Sequence, residues 1–385
     1  MQADGSNPAR VIFKEGLQVL LDRLKAAGYQ VIGPTVREGA IVYRPIDTVA
    51  ALPAGIVDEQ APGRYRLGEI RVGEQRPLFA HVVGPDSWKR WLHPPQQLMW
   101  RAERKKRGIV FVSASAGGQP PRALLGVRAC EIAAMRIQDR VLAEGEWPDA
   151  GYRERRKGVF IVAVNCGRAG GSCFCASMGM GPEVTEGFDL ALTEQVDAES
   201  HRFVVTAGSP SGQRFLDVLP GQPASEEALR RAREQTAKTA AHMGREMPAD
   251  AGSVLRASLD HPHWEAVAGR CLHCGNCTMV CPTCFCTSME ERTALDGKGT
   301  ERWRQWDSCF NASFSYLHGG PIRNSGAARY RQWLTHKLAH WEAQFGTAGC
   351  SGCGRCVTWC PVGIDITEEV RALGTPQETM RHDGG

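Results

Sequence analysis

Apolar residues recur at helical spacing between Val11 and Ala27, at Ile12, Leu17, Leu20, Leu21 and Leu24, and Gly28 follows as a stop signal. The pattern predicts a helix over 11–27. Tyr29 to Ile32 and Ala40 to Tyr43 then read as short strands flanking a turn. Five apolar runs rich in β-branched residues follow, at 108–115, 122–129, 157–165, 188–193 and 202–207, and their shape predicts central strands. Cys130 to Glu144 has helical periodicity between two of them, so residues 122–165 are expected to form a strand-helix-strand unit. Ser225 to Met243 reads as a helix leading away from the sheet, and Pro248 to Gly252 as a break. The fold class expected is mixed α+β. Residues 1–250 would form an α/β docking domain and 251–385 a mainly helical ferredoxin-type domain with an insertion at about 287–349.

Bulk composition narrows the function. At 385 residues the chain is long enough for two cores, and its 42% apolar and 23% charged fractions are those of a soluble globular protein. A formal charge of +4 is too small to argue for nucleic acid. The basic segment Arg101 to Arg107 reads as a solvated helix face or a loop before the strand at Ile109. No apolar core of a secretory signal is visible near Met1, and no window approaches eighteen consecutive apolar residues, so a cytoplasmic protein without a membrane span is expected. Fifteen cysteines in such a chain point to metal rather than disulfides.

The chemistry lies in a cysteine ladder that occurs twice, as Cys271-x2-Cys274-x2-Cys277-x3-Cys281-Pro282 and Cys350-x2-Cys353-x2-Cys356-x3-Cys360-Pro361. This is the ligand run of a bacterial-type [4Fe-4S] ferredoxin. Three thiolates three residues apart let one loop wrap a cubane, and the proline stops the chain from continuing as helix. In two-cluster ferredoxins the fourth cysteine of each run serves the other cluster. Carried onto this chain, one cluster takes Cys271, Cys274, Cys277 and Cys360, and the other Cys350, Cys353, Cys356 and Cys281. Structural zinc is the competing reading, but zinc pairs rarely add a third cysteine at the next x2 step and a closing Cys-Pro.

Seven cysteines remain. Cys173-Phe-Cys175-Ala-Ser-Met178 is echoed by Cys284-Phe-Cys286-Thr-Ser-Met289. Cys166 follows a strand in a glycine-rich loop, and Cys309 sits inside the insertion. Cys166, Cys173, Cys175, Cys284, Cys286 and Cys309 are therefore candidates for a third iron-sulfur or metal site, against the alternative that they are buried apolar residues or donors around the two clusters. Cys130 opens a helix, where a thiolate would be favoured, but packing is the expected role. Packing is likewise expected for Trp303, Trp306, Trp333 and Trp341, and packing or surface roles for His336 and His340. No phosphate-binding loop, dinucleotide fingerprint or catalytic triad signature occurs, so no catalytic residue is assigned.

The strings GVRACEIAAM (126–135), IVAVNCGRAGGSCFCASMGMGP (161–182), RCLHCGNCTMVCPTCFCTSM (270–289) and THKLAHWEAQFGTAGCSGCGRCVTWCPVGIDI (335–366) resemble the beta subunit of cytoplasmic [NiFe] hydrogenases, the sulfhydrogenases. The A subunit of anaerobic sulfite reductase looks similar. The resemblance implies a non-catalytic electron-transfer subunit, exchanging electrons with a flavin subunit that handles NAD(P)H and with hydrogenase, or sulfite reductase, subunits. It places His273 and Ser351 in the ligand loops, where they would tune hydrogen bonding. A self-contained reductase binding a flavin or substrate, and a redox-sensing protein without electron throughput, stand as the alternatives.

Overall fold

The run Ala123-Leu-Leu-Gly-Val127 has no polar side to offer solvent, and a strand buried on both faces is what such a run requires. In the computed structural model, which describes residues 9–113 and 120–375, Arg122–Val127 lies inside an eight-stranded sheet. The order is Gln222–Pro223, Arg10–Phe13, His201–Ala207, Leu190–Val196, Phe160–Val164, Arg122–Val127, Gln30–Arg37, Ala40–Pro45. The four strands from Leu190–Val196 to Gln30–Arg37 are parallel, and both flanks are antiparallel. Lys14–Ala26 and Pro210–Asp217 cover one face, burying Leu17, Leu20, Leu21, Leu24 and Leu216 against Val162 and Phe203. Ala129–Leu142 covers the other, with Ile132 and Met135 packed on Leu124 and Ile161.

Three expectations need correction. The predicted first helix begins later: Arg10–Phe13 is a strand paired with His201–Ala207, and the helix runs Lys14–Ala26. Four residues are too few to show a two-residue period, and Val11 and Ile12 are both buried. The run from 108 is not a central strand. Gly108–Ser113 forms the edge of a four-stranded antiparallel sheet with Ile109 and Phe111 exposed, because an apolar run does not say which face a partner will cover. Residues 114 and 115 of that prediction lie outside the described residues. The basic segment from Arg101 is neither helix nor loop: most of it belongs to the strand Gln96–Lys105, where Arg101 pairs with Glu301 across the ladder.

That small sheet is built from distant segments. Gly299–Trp306, from the stretch between the two cysteine runs, pairs with Gln96–Lys105 and with Thr287–Thr293, so part of the insertion is added to a hairpin of the first 250 residues. The dicluster region itself is helical. Ala251–Ala257, His263–Arg270, Gly326–Thr335 and Ile366–Leu373 enclose Trp264, Tyr330, Trp333, Leu338 and Val370. The helix from Gly326 passes through a wider π-type turn at His336–His340 before ending at Trp341–Phe345.

Candidate iron-sulfur centres

The two cysteine runs fold alike. In the first, His273 at φ 52° and Gly275 at φ 73° turn the chain into the short helix Asn276–Met279. In the second, Gly352 at φ 68° and Gly354 at φ 75° do the same for Arg355–Thr358. Left-handed residues at matching positions curl each loop so that its N–H groups point inward. His273 N–H donates to Cys271 Sγ at 3.4 Å and Gly352 N–H to Cys350 Sγ at 3.5 Å, which is the N–H···S pattern that stabilises thiolates. The two short helices pack together.

That packing lays the two runs against each other, with Asn276 Nδ2 donating to Trp359 O at 2.5 Å. Burial raises the Cys277 thiol, and the next contributions come from Cys271, Cys360, Cys274 and Cys281. Burial also raises Cys356, followed by the charges of Cys350, Cys281, Cys353 and Cys277, and it pushes Cys350 up to about 12. Burial and neighbouring sulfurs disfavour uncompensated thiolates here, and bound iron would supply the positive charge that lets these thiols ionise. Buried polar atoms are also left over beside the runs: Ser351 Oγ, Ser172 Oγ and Arg355 Nη1 lack any hydrogen-bond partner in the chain. Inorganic sulfide would offer them acceptors, so the donor set fits iron-sulfur clusters. Among the described residues no three His, Cys, Asp or Glu side chains close on one point as a single ion would require. The eight cysteines share that spread, and a cube needs it, because each of its ligands holds a different corner.

Cations sit against the second group of four. Lys337 is buried, and its Nζ lies 3.3 Å from Cys281 Sγ and 2.7 Å from Thr283 Oγ1. Burial opposes its charge, but Cys281, Cys284 and Cys350 outweigh that and raise its pKa. Lys89, buried with Nζ 3.8 Å from the centre of the Trp306 ring, is pushed down to about 8 by burial, against the pull of Cys284 and Cys281. At the surface end, Cys274 is exposed and Leu272 beside it is 63% exposed.

The six further cysteines do not come together. Cys284 is in thiol hydrogen-bond contact with Cys281, and Cys286 with Cys309, on the side of Lys337. Cys284, Cys286 and Cys309 border a cavity of about 210 Å³ shared with Trp333 and His336. Cys173 and Cys175 lie elsewhere, packed with Val82, Val83, Cys353 and Cys130, and Cys166 lies by Arg128, its Sγ 4.0 Å from Nη1. The repeated hexamer thus adopts two structures: turns around Cys173 to Met178, and entry into the strand Thr287–Thr293 in the second copy. Trp333 and Trp341 are buried as expected; His340 is exposed.

Sequence reasoning gave Cys130 only a packing role and passed over Lys337, Lys89 and the pair formed by Arg355 and Glu131. Cys130 carried a readable signal. It follows the strand Arg122–Val127 as Cys166 follows Phe160–Val164, and those strands are parallel neighbours, so both cysteines stand at the carboxyl edge where α/β sheets hold ligands.

Residues 270–364 match the family model of a 4Fe-4S dicluster domain. Over 318 residues, 80% of this chain and 89% of the relative, the sequence is 30% identical to sulfhydrogenase 2 subunit beta of Pyrococcus furiosus. No solved structure matches. Among the described residues no helix is long and apolar enough to cross a membrane. With a dicluster domain and a relative matched across nearly its whole length, this chain belongs to the sulfhydrogenase beta-subunit family and is an iron-sulfur electron-transfer subunit of that kind.

Proposed function

We propose that the chain carries two [4Fe-4S] clusters, one on Cys271, Cys274, Cys277 and Cys360 and one on Cys350, Cys353, Cys356 and Cys281, and passes electrons between a flavin subunit oxidising or reducing NAD(P)H and a [NiFe] hydrogenase module in the cytoplasm. The observation that carries this reading is the hydrogen bond that Asn276 Nδ2 donates to Trp359 O at 2.5 Å, which ties the residue before Cys277 to the residue before Cys360. When bound, such a cluster takes up and returns one electron. The chain's own part is to hold the thiolates, exclude water and set the potential.

Each of those tasks has residues. His273 and Gly352 amides bond to sulfur. Lys337 and Lys89 bring positive charge to Cys281, which favours the reduced form with its extra negative charge. Exposed Cys274 and Leu272 give the first group an edge at the surface where a partner can dock, while the second group lies deeper. Residues 1–250 serve as the docking scaffold and 251–385 as the cluster domain.

Co-purification from the native source, followed by mixing with NAD(P)H, tests this. Cluster reduction is expected only when the flavin subunit is present, and reduction of the isolated chain by NAD(P)H would contradict the division of labour.

A further inference from the structure

Four cysteines that the two ferredoxin runs leave unused meet in one buried place. Cys130, Cys166, Cys173 and Cys175 are each between 5% and 8% exposed, and they come from three segments. Cys130 and Cys166 follow adjacent parallel strands, while Cys173 and Cys175 reach back from the glycine-rich loop. Cys130, Cys173 and Cys175 pack in one buried cluster with Val82, Val83 and Cys353. Cys166 is placed beside them: its N–H donates to Pro182 O at 3.4 Å, next to Gly181, where a Cβ would stand 3.2 Å from Cys175 Sγ and 3.7 Å from Cys130 N.

The walls are shaped for something close to the sulfurs. A Cβ on Gly170 would stand 3.3 Å from Cys173 Sγ, and one on Gly181 3.2 Å from Cys175 Sγ, so glycine keeps both sides clear. Arg128, almost fully buried, aims Nη1 at Cys166 Sγ at 4.0 Å. Ser172 Oγ is fully buried and has no partner, and neither has Arg355 Nη1, whose side chain interacts electrostatically with both Cys353 and Cys130. Four buried thiols in one neighbourhood, two buried arginines and an unpartnered hydroxyl are the surroundings of an anionic cluster with sulfur acceptors. A small hydrophobic core would carry neither the arginines nor the orphaned donors.

We propose that Cys130, Cys166, Cys173 and Cys175 ligate a third [4Fe-4S] cluster, next to the one that Cys353 serves. Four Fe–S bonds form and four thiol protons are released to solvent as it binds. The site stands against the second cysteine run: Phe174 N–H donates to Gly352 O at 2.9 Å, and a Cβ on Gly352 would come within 2.6 Å of Cys175 Cα. The chain then holds a row of three centres, leading from exposed Cys274 through the second group to the carboxyl edge of the large sheet. This extends the electron-transfer reading, and rests on it only for the role of the third centre, not for its existence.

Iron and acid-labile sulfide are to be counted on the anaerobically purified full chain, with the electron paramagnetic resonance spectrum of the reduced form. About twelve irons are expected in the wild type, about eight in Cys173→Ser/Cys175→Ser, and about twelve in Cys286→Ser. Should the double variant not fold, Cys130→Ser is expected to change one set of resonances and leave the other two. About eight irons in the wild type, lost in a step of four in Cys277→Ser, would overturn the third site while leaving the two-cluster reading intact. Loss of four irons in Cys286→Ser but not in the double variant, or zinc at the site, would also overturn it. About four irons or fewer in the wild type would overturn both.

Discussion

Arg355 Nη2 donates to Glu131 Oε1 at 2.6 Å, and both side chains are at most 1% exposed. Arg355 lies between Cys353 and Cys356, and Glu131 is the residue after Cys130, so the pair joins the cluster domain to the large sheet. Each partner is otherwise occupied: Arg355 also donates to Gly84 O and Asp86 O, and Glu131 Oε2 accepts from Tyr43 Oη and Trp88 Nε1. Burial opposes the arginine's charge, but Glu131 together with Cys353, Tyr43 and Cys130 outweighs it and holds the pKa above the usual guanidinium range. Removing one partner leaves the other charged and buried, which costs about 3–5 kcal/mol. Glu131→Gln and Arg355→Met are each expected to lower the denaturation midpoint accordingly, and the double variant by less than their sum, in a double-mutant cycle. Additive losses would contradict the coupling.

Gly352 is the point of closest approach between the second cysteine run and the loop carrying Cys175. Gly352→Ala would press a methyl group into Cys175 backbone at φ 68°, whereas Gly346→Ala at φ 71° meets nothing within 4 Å. The second change costs only the left-handed conformation, about 1–2 kcal/mol. The first is expected to cost about 1–3 kcal/mol more through overpacking. Equal midpoints for the two variants in denaturant would show that this contact does not constrain the loops.

Lys337→Met removes a buried positive charge 3.3 Å from Cys281 Sγ. The potential of the cluster bound there is expected to fall, on the order of 100 mV for a unit charge a few ångströms away at an effective dielectric near 20. Lys337→Arg should shift it far less. A redox titration followed by paramagnetic resonance reads the difference, and an unchanged potential in Lys337→Met would mean that solvent screens the site.

Acid should weaken the junction between the two sheets. His93 stacks on Trp306 and accepts its Nε1–H through the backbone carbonyl, and burial, then Arg304 and Lys89, push its pKa down to about 3. In the unfolded chain it titrates near 6.5. Between those values the unfolded state binds the extra proton, so this contribution to stability is complete above about pH 6.5 and is lost as pH falls toward 3. His93→Gln should flatten the fall of the denaturation midpoint across that range relative to wild type. Parallel curves would show that His93 does not carry it.

The two cysteine ladders stood out in the sequence because their spacing is local: each triple falls within one loop of seven residues. The parallel strands Arg122–Val127 and Phe160–Val164 were legible for a similar reason, since continuous apolar runs admit few other solutions. What escaped was long-range. Cys130 joins Cys166 only because two strands lie side by side, and Glu131 finds Arg355 across 224 residues. The repeated Cys-Phe-Cys hexamer, alike but for one Ala/Thr change, did not by itself say what it binds, and the segments that follow, a turn in one copy and a strand in the other, send the two copies to different places.

The crossing of the cysteine runs is the claim on which the two-cluster arrangement stands, and single serine variants examined by Mössbauer and paramagnetic resonance spectroscopy test it most directly. Cys277→Ser and Cys360→Ser, 83 positions apart, are expected to perturb the same cluster and leave the same one intact, while Cys281→Ser and Cys350→Ser perturb the other. If Cys360→Ser instead reproduced the spectrum of Cys350→Ser, each run would hold its own cluster and the arrangement proposed here would be wrong.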